Sequence, residues 1–332
     1  WLFFYTRKKQ RFCGMAARRR HKKMEYILLV VGFVLLVKGA DFFVEGSSSV
    51  AKLLRVPSVI IGLTIVAFGT SAPEMAVSIS ASIAGSNDIA VGNVIGSNIF
   101  NLLMVVGICG LILPMKIDKS ILYGDFLFTI VAAVVMLLLF AFDCILSRWN
   151  GLMLLAMFAY FMFKTVKNTL ASRAAGGPGE EEEIKVLSPF LSIVFIIGGL
   201  AAIVIGGNLV VDSASAIAMS FGMTETLVGL TIVAFGTSLP ELVTSVVAAR
   251  KNEVDMAVGN AVGSNIFNIL MVLGIASAIN PVALIRENII DIVIVFSLIV
   301  WIYAATKRKI SRKEGISMVC LYLIYAGYII WR

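Results

Sequence analysis

Strongly apolar segments recur along nearly the whole chain, near residues 26–46, 58–84, 89–112, 121–142, 149–168, 188–218, 227–249, 256–279, 289–306 and 315–331. Each is close to or above the roughly 20 residues that a helix needs to cross a ~30 Å hydrocarbon core. The runs do not alternate apolar with polar positions, which excludes a transmembrane β-barrel. The pattern predicts an all-α membrane protein with ten transmembrane helices. One polar stretch interrupts it: Ala174 to Lys185 holds Gly176-Gly177-Pro178-Gly179 and then Glu180 to Glu183, a composition suited to a linker between two halves. Four adjacent acids supply no EF-hand spacing, so the glutamates read as a solvated hinge.

The two halves are copies. Displacing the sequence by 167 residues lays Gly62–Ser71 (GLTIVAFGTS) on Gly229–Ser238 with every residue identical, then Pro73-Glu74 on Pro240-Glu241 and Gly96–Asn101 (GSNIFN) on Gly263–Asn268. Of the 47 positions from 62 to 108, 30 match their partners at 229 to 275, and no gap is needed from Gly39/Gly206 to Pro114/Pro281. Five helices per copy is an odd number, so the second copy enters the membrane from the opposite side. The expected organisation is a first five-helix repeat over 24–173, a cytoplasmic linker over 174–187 and an inverted second repeat over 188–332. Inverted repeats with a site near the bilayer midplane belong to alternating-access carriers.

Composition and charge refine this picture. Hydrophobic residues make up 59% and charged residues 14%, with a mean hydropathy of +0.96. Cys13, Cys109, Cys144 and Cys320 show no paired or CxxC spacing and read as packing residues. His21, the single histidine, lies in a basic tail, so no zinc, haem or imidazole acid/base centre can be assembled. Neither an enzyme nor a cofactor is expected. Assigned to alternate loops, fifteen lysines and arginines from Lys52 to Lys313 gather on one side of the membrane, against Arg148, Arg286 and Arg332 on the other. The excess marks the linker side as cytoplasmic in a multi-pass cell-membrane protein and puts both termini outside. Residues 1–23 oppose this, because nine further lysines and arginines would have to be translocated. We therefore read 1–23 as a basic N-terminal extension that the native chain lacks, with Met24 as its start. The segment also resembles a signal peptide, but Gly39 onward belongs to the repeat, so the first helix is expected to be retained.

Acids inside apolar helices cost at least ~2.5 kcal/mol near the bilayer centre, so they default to function. Glu74 and Glu241 are the deepest such pair. Each follows a proline, and Pro73 and Pro240 cannot donate to the carbonyls of Gly69 and Gly236, which predicts a kink with free carbonyl oxygens in both helices. Thr70 and Ser71 lie four and three residues before Glu74, as Thr237 and Ser238 do before Glu241. On a continuous helix each pair of hydroxyls shares a face with its own carboxylate. Ser97 and Asn101, and Ser264 and Asn268, sit at i,i+4 on the neighbouring helices. All are oxygen donors, the type that hard cations such as calcium bind six to eight at a time. The alternative is that small residues only permit close helix packing. Gly92, Gly96, Gly107, Gly259, Gly263 and Gly274 read that way, but packing needs no buried carboxylate. Asp41, Glu45 and Asp212 are left out of the site: with Lys38 three residues before Asp41, a surface ion pair and a cation entrance are equally open readings.

The two motifs, GTSxPE on one helix and GNxxGSNxFN on the next, each occur twice and in order. They resemble the alpha repeats of the sodium/calcium exchanger family, within the cation/calcium antiporter superfamily, and the resemblance covers Met24 to Arg332. It implies Glu74 and Glu241 as shared calcium and sodium ligands, with Thr70 and Thr237 completing the calcium position. Ser71, Ser97, Asn101, Ser238, Ser264 and Asn268 then flank it in sodium positions, with the carbonyls of Ala67 and Ala234. The long first and sixth helices would slide as gates. The function implied is secondary active exchange of calcium for sodium across the membrane by alternating access, electrogenic at about three sodium ions per calcium. Its partners are those ions and membrane lipid, with neither nucleic acid nor an obligatory protein partner. Asn268 departs from certain archaeal-type and potassium-dependent members, which carry aspartate there, and this speaks against potassium co-transport. The linker is too short for the calcium-sensing domains of animal exchangers. A cation/proton antiporter of the same architecture is the runner-up, since two carboxylates can release calcium by taking up two protons. A channel needs a continuous pore, which an inverted repeat argues against. An aspartyl intramembrane protease needs two aspartates where these deep acids are glutamates.

Overall fold

The computed structural model describes residues 2–116, 121–143, 145–174, 186–223, 232, 234–283, 286–305 and 309–331, and these are almost entirely helical. The acidic linker, Cys144, and residues 229–231 and 233 of the second repeat lie outside them, as do the side chains of Cys13 and His21. The helical pieces are, in order, α1 (Leu2–Leu54), α2 (Ser58–Thr70), α3 (Ala72–Ile83), α4 (Ile89–Ile112), α5 (Leu127–Asp143), α6 (Arg148–Ala174), α7 (Pro189–Ser220), α8 (Ala234–Thr237), α9 (Leu239–Arg250), α10 (Val254–Ile279), α11 (Arg286–Ala305) and α12 (Arg312–Trp331). Among the described residues, five helices are long and apolar enough to cross a membrane: α1 from Met24, α4, α6, α7 and α10. α2 and α3, meeting at a 48° bend, supply a sixth span if taken together. That is fewer than the ten expected, partly because α5 has only 17 residues and the stretch before α8 is outside the described residues.

Local chemistry sets the helix ends. α7 opens on Ser188, whose hydroxyl accepts the N–H of Leu191 at 3.3 Å, with Pro189 in the first turn, where its missing N–H costs nothing. α12 opens on a capping box, in which Glu314 Oε2 accepts the N–H of Ser311 at 2.9 Å. α1 overruns the end expected near residue 46. Ser47, Ser48 and Ser49 are buried rather than turned to solvent, and the helix stops at Arg55, which takes a φ of 54°.

α1 and α7, equivalent helices of the two copies, pack antiparallel at backbone contact. A Cβ on Gly32 would lie 2.9 Å from the carbonyl oxygen of Gly206, and Cβ atoms on Gly39 and Gly46 would lie 2.8 Å from those of Gly199 and Ser192. Partner numbers fall as α1 numbers rise, and a side chain at these positions would force the helices apart. Gly32 and Gly39 are the repeat equivalents of Gly199 and Gly206, so the contact is reciprocal. The aromatic contacts repeat the relation: Phe68 meets Phe267 with ring centroids 5.7 Å apart, and Phe100 meets Phe235 at 4.9 Å. So do two short antiparallel ladders that the hydrophobic pattern did not predict. β1 (Met115–Lys116) pairs with β4 (Lys309–Ile310), and β2 (Ile145–Leu146) with β3 (Val282–Ala283).

α4 and α10 are innermost, buried along most of their apolar length, whereas α1, α6 and α7 leave most of theirs exposed. Tight packing explains four of the six motif glycines. A Cβ on Gly259 would meet Val59 O at 2.7 Å, one on Gly263 the Ala67 Cβ at 2.8 Å, and ones on Gly107 and Gly274 side chains of Met318 and Leu155 at 3.1 Å. Gly92 and Gly96 have no such neighbour within 4 Å among the described residues.

Candidate cation site

Each glutamate sits at the start of a helix, not at a kink within one. α2 ends at Thr70, Ser71 leaves the helical well at φ −81°, ψ 7°, and α3 restarts at Ala72 with Pro73 and Glu74 in its first turn. α8 and α9 repeat the break at Ser238, φ −93°, ψ 6°, with Pro240 and Glu241 in the first turn of α9. A proline in a first turn sacrifices no intrahelical bond, which corrects the expectation of a continuous, kinked helix. The bend itself is where the sequence placed it.

The break changes the hydrogen-bond partners. Ser71 Oγ donates to Glu241 Oε1 at 3.0 Å, and Ser238 Oγ lies 2.9 Å from Glu74 Oε1 and 3.0 Å from Ser97 Oγ. Each serine therefore serves the carboxylate of the other repeat, because the helical i,i+3 relation to its own glutamate ends at the serine. Ser97 Oγ lies 3.5 Å from Glu74 Oε1. Thr70 Oγ1 lies 3.0 Å from Asn260 Oδ1 and 3.1 Å from Val66 O. The Ala67 carbonyl accepts the N–H of Ser71 at 3.0 Å, and Ala234 opens α8. Asn101 Nδ2 donates to Asn265 Oδ1 and Asn268 Nδ2 to Asn98 Oδ1, both at 3.3 Å.

These bonds leave a set of buried oxygens without partners: Oε2 of Glu74 and of Glu241, Oδ1 of Asn101 and of Asn268, and Oγ of Ser264. Both glutamates and both asparagines are 0% exposed. A desolvated polar atom with no partner costs on the order of 1–3 kcal/mol, and a charged one more. Among the described residues no ion pair reaches either glutamate and no three His, Cys, Asp or Glu come together. Two carboxylates with neutral amide and hydroxyl oxygens fit hard cations of the calcium and sodium type, and not a thiophilic metal. Asn101 and Asn268 stand in π-helical turns, Asn101–Val105 and Phe267–Val272, whose extra residue re-aims side chains.

A second layer escaped the sequence reading. Asn93 Nδ2 donates to Glu74 O at 3.0 Å and to Ser78 Oγ at 2.9 Å, and Asn260 Nδ2 donates to Glu241 O at 3.3 Å and to Ser245 Oγ at 2.8 Å. These bonds hold each glutamate's backbone to the neighbouring inner helix. The signal was available, since Asn93/Asn260, Ser78/Ser245 and Asn98/Asn265 are identical pairs in the self-alignment. Asp41 and Glu45 stand apart in an ion-pair cluster with Lys38 and Lys251.

Fold and site together define a membrane-spanning, duplicated protein in which two buried carboxylates, one from each copy, are bonded by serines of the opposite copy. A family profile described as "Sodium/calcium exchanger protein" matches residues 24–166 and 191–331. The sodium/calcium exchanger MaX1 of Methanosarcina acetivorans is 34% identical over 341 residues, covering 91% of this chain and 97% of MaX1. The inner membrane protein YrbG of Escherichia coli K12 is 34% identical over 320 residues, covering 92% and 94%. The sodium-calcium exchanger NCX_Mj, in a sodium-soaked, calcium-free structure, superposes with a TM-score of 0.80 at 33% identity over 92% of this chain and 99% of that one. The chain belongs to the sodium/calcium exchanger family, a family of membrane transporters.

Proposed function

We propose that the chain is a secondary active antiporter that exchanges calcium for sodium by alternating access between two inverted five-helix repeats. The observation that carries this reading is the pair of fully buried glutamates, each hydrogen-bonded by the serine of the other repeat and each keeping one unpartnered oxygen. Glu74 and Glu241 are assigned as ligands shared by both ions, and Thr70 and Thr237 complete the calcium position. Ser71, Ser97, Asn101, Ser238, Ser264 and Asn268 flank it as sodium ligands, with the carbonyls of Ala67 and Ala234. Antiparallel packing of α1 on α7 and the reciprocal contacts between halves support the inversion. A ten-helix topology, a cytoplasmic linker and outside termini complete the proposal. The test is calcium-45 uptake into proteoliposomes loaded in turn with sodium, potassium or acid. Sodium-driven uptake is expected. Uptake driven by internal acid, with sodium absent on both sides, would replace sodium by protons.

A further inference from the structure

The two approaches to the site differ, although the helices around them are copies. On the α7 side a cavity of about 300 Å³ is lined by Pro73, Val77, Asn208, Val211, Asp212 and Thr237, with others. On the α1 side the equivalent positions are shut: Val44, Thr70 and Thr244 are 0% exposed, whereas their counterparts Val211, Thr237 and Val77 are half-buried. The polar residues divide in the same sense. Asn208 and Asp212, one turn apart on α7, are exposed into the cavity, and Asp212 has no ion pair among the described residues. Their counterparts Asp41 and Glu45 are engaged by Lys251, at the end of α9. Its Nζ donates to the Asp41 backbone carbonyl at 2.8 Å and lies 3.8 Å from Asp41 Oδ1 and 3.6 Å from Glu45 Oε2. The first repeat carries Ala84 where the second carries Lys251, so α7 has no equivalent cation to hold it.

We propose that Lys251 is a positioning residue for exchange, a latch that ties α1 to the glutamate-bearing α9 and favours the state open at Asp212. Opening the other side requires α1 to leave Lys251. That movement frees Glu45 and leaves Asp41 with Lys38 alone, 3.6 Å away on the same helix, placing two carboxylates at the mouth a cation then uses. The proposal rests on the alternating-access reading. The lysine side chain is 33% exposed and its two partners 33% and 40%, so the latch is a bias and not a lock.

The experiment uses reconstituted full-length protein whose native cysteines are replaced. Single cysteines at Val44 or Val211 are then labelled by a membrane-impermeant maleimide from each side, in sodium buffer. Val211→Cys is expected to react and Val44→Cys to be protected. Lys251→Met should speed labelling at 44 and slow it at 211, changing the ratio by about three- to ten-fold, a size suited to a partly exposed ion-pair network. Lys251→Arg should keep the original ratio. A ratio unchanged by Lys251→Met, or both rates rising together as in general loosening, overturns the latch. If Lys251→Met does not fold, Glu45→Gln should shift the ratio in the same direction, and an unchanged ratio or a joint rise there overturns the latch equally. Labelling reads access and not flux. A ratio that shifts in protein unable to couple sodium to calcium would therefore sustain the latch while sinking the ion assignment.

Discussion

A carboxylate removed from water with no basic neighbour needs a counter-charge from elsewhere, and Glu74 and Glu241, each bonded by the serine of the other repeat, share that need. Glu74→Gln and Glu241→Gln nearly preserve shape, and each deletes one of two charges opposing a divalent ion. Breaking one side of a buried charge pair costs roughly 3–5 kcal/mol, so each variant should lose at least about a hundred-fold in calcium-45 uptake. Near-normal uptake by either would place the site elsewhere. Asn101→Ala and Asn268→Ala remove only a neutral oxygen and should be milder. Ser71→Ala and Ser238→Ala each delete a hydroxyl bond to a carboxylate, about 1.5–3 kcal/mol, and should weaken calcium by more than ten-fold, Ser238→Ala at least as much because its hydroxyl also lies 3.0 Å from Ser97 Oγ. Near-normal calcium uptake by either variant would contradict the reciprocal geometry. The ligand types were legible in the sequence because the repeat marks each twice. Their partners were not, because i,i+3 spacing describes an unbroken helix and the chain breaks at Ser71 and Ser238.

Among elements, the seam between α1 and α7 has little slack. Gly39→Ala would set a methyl 2.8 Å from the Gly199 carbonyl oxygen, whereas Gly198→Ala meets nothing within 4 Å among the described residues. Overpacking of this kind costs about 1–3 kcal/mol, so Gly39→Ala should lower the Tm of the solubilised protein and slow exchange. Gly198→Ala should match or slightly exceed the parent Tm, since alanine favours helix over glycine. Equal behaviour of the two variants would remove the seam from the mechanism. Hydropathy located most helices to within a few residues because each described span is one apolar run. It ended α1 too early, since Ser47, Ser48 and Ser49 look like a stop signal yet are buried in the helix. It also missed the β1–β4 and β2–β3 ladders, two residues per strand, which depend on segments far apart in sequence meeting at helix ends.

For the whole molecule, charge arithmetic decides whether the cycle feels the membrane potential. The two glutamates carry −2, which one calcium ion neutralises. We propose, as the resemblance to the family implies, that about three sodium ions share those carboxylates, with neutral oxygens from Ser71, Ser97, Asn101 and their counterparts alongside. Such a cycle moves one net positive charge against the calcium. A potential acts on that charge with about 2.3 kcal/mol per 100 mV, more than ten-fold in an equilibrium constant. Calcium entry in exchange for internal sodium should therefore speed up when a potassium/valinomycin clamp makes the calcium-receiving side positive, because net charge leaves that side. A cycle of two sodium ions or two protons per calcium moves no net charge and shows no such response. If clamped potentials of either sign leave the sodium-driven flux unchanged, the exchange is electroneutral, and at least one of the neutral-oxygen positions assigned to sodium is not occupied in the transported complex.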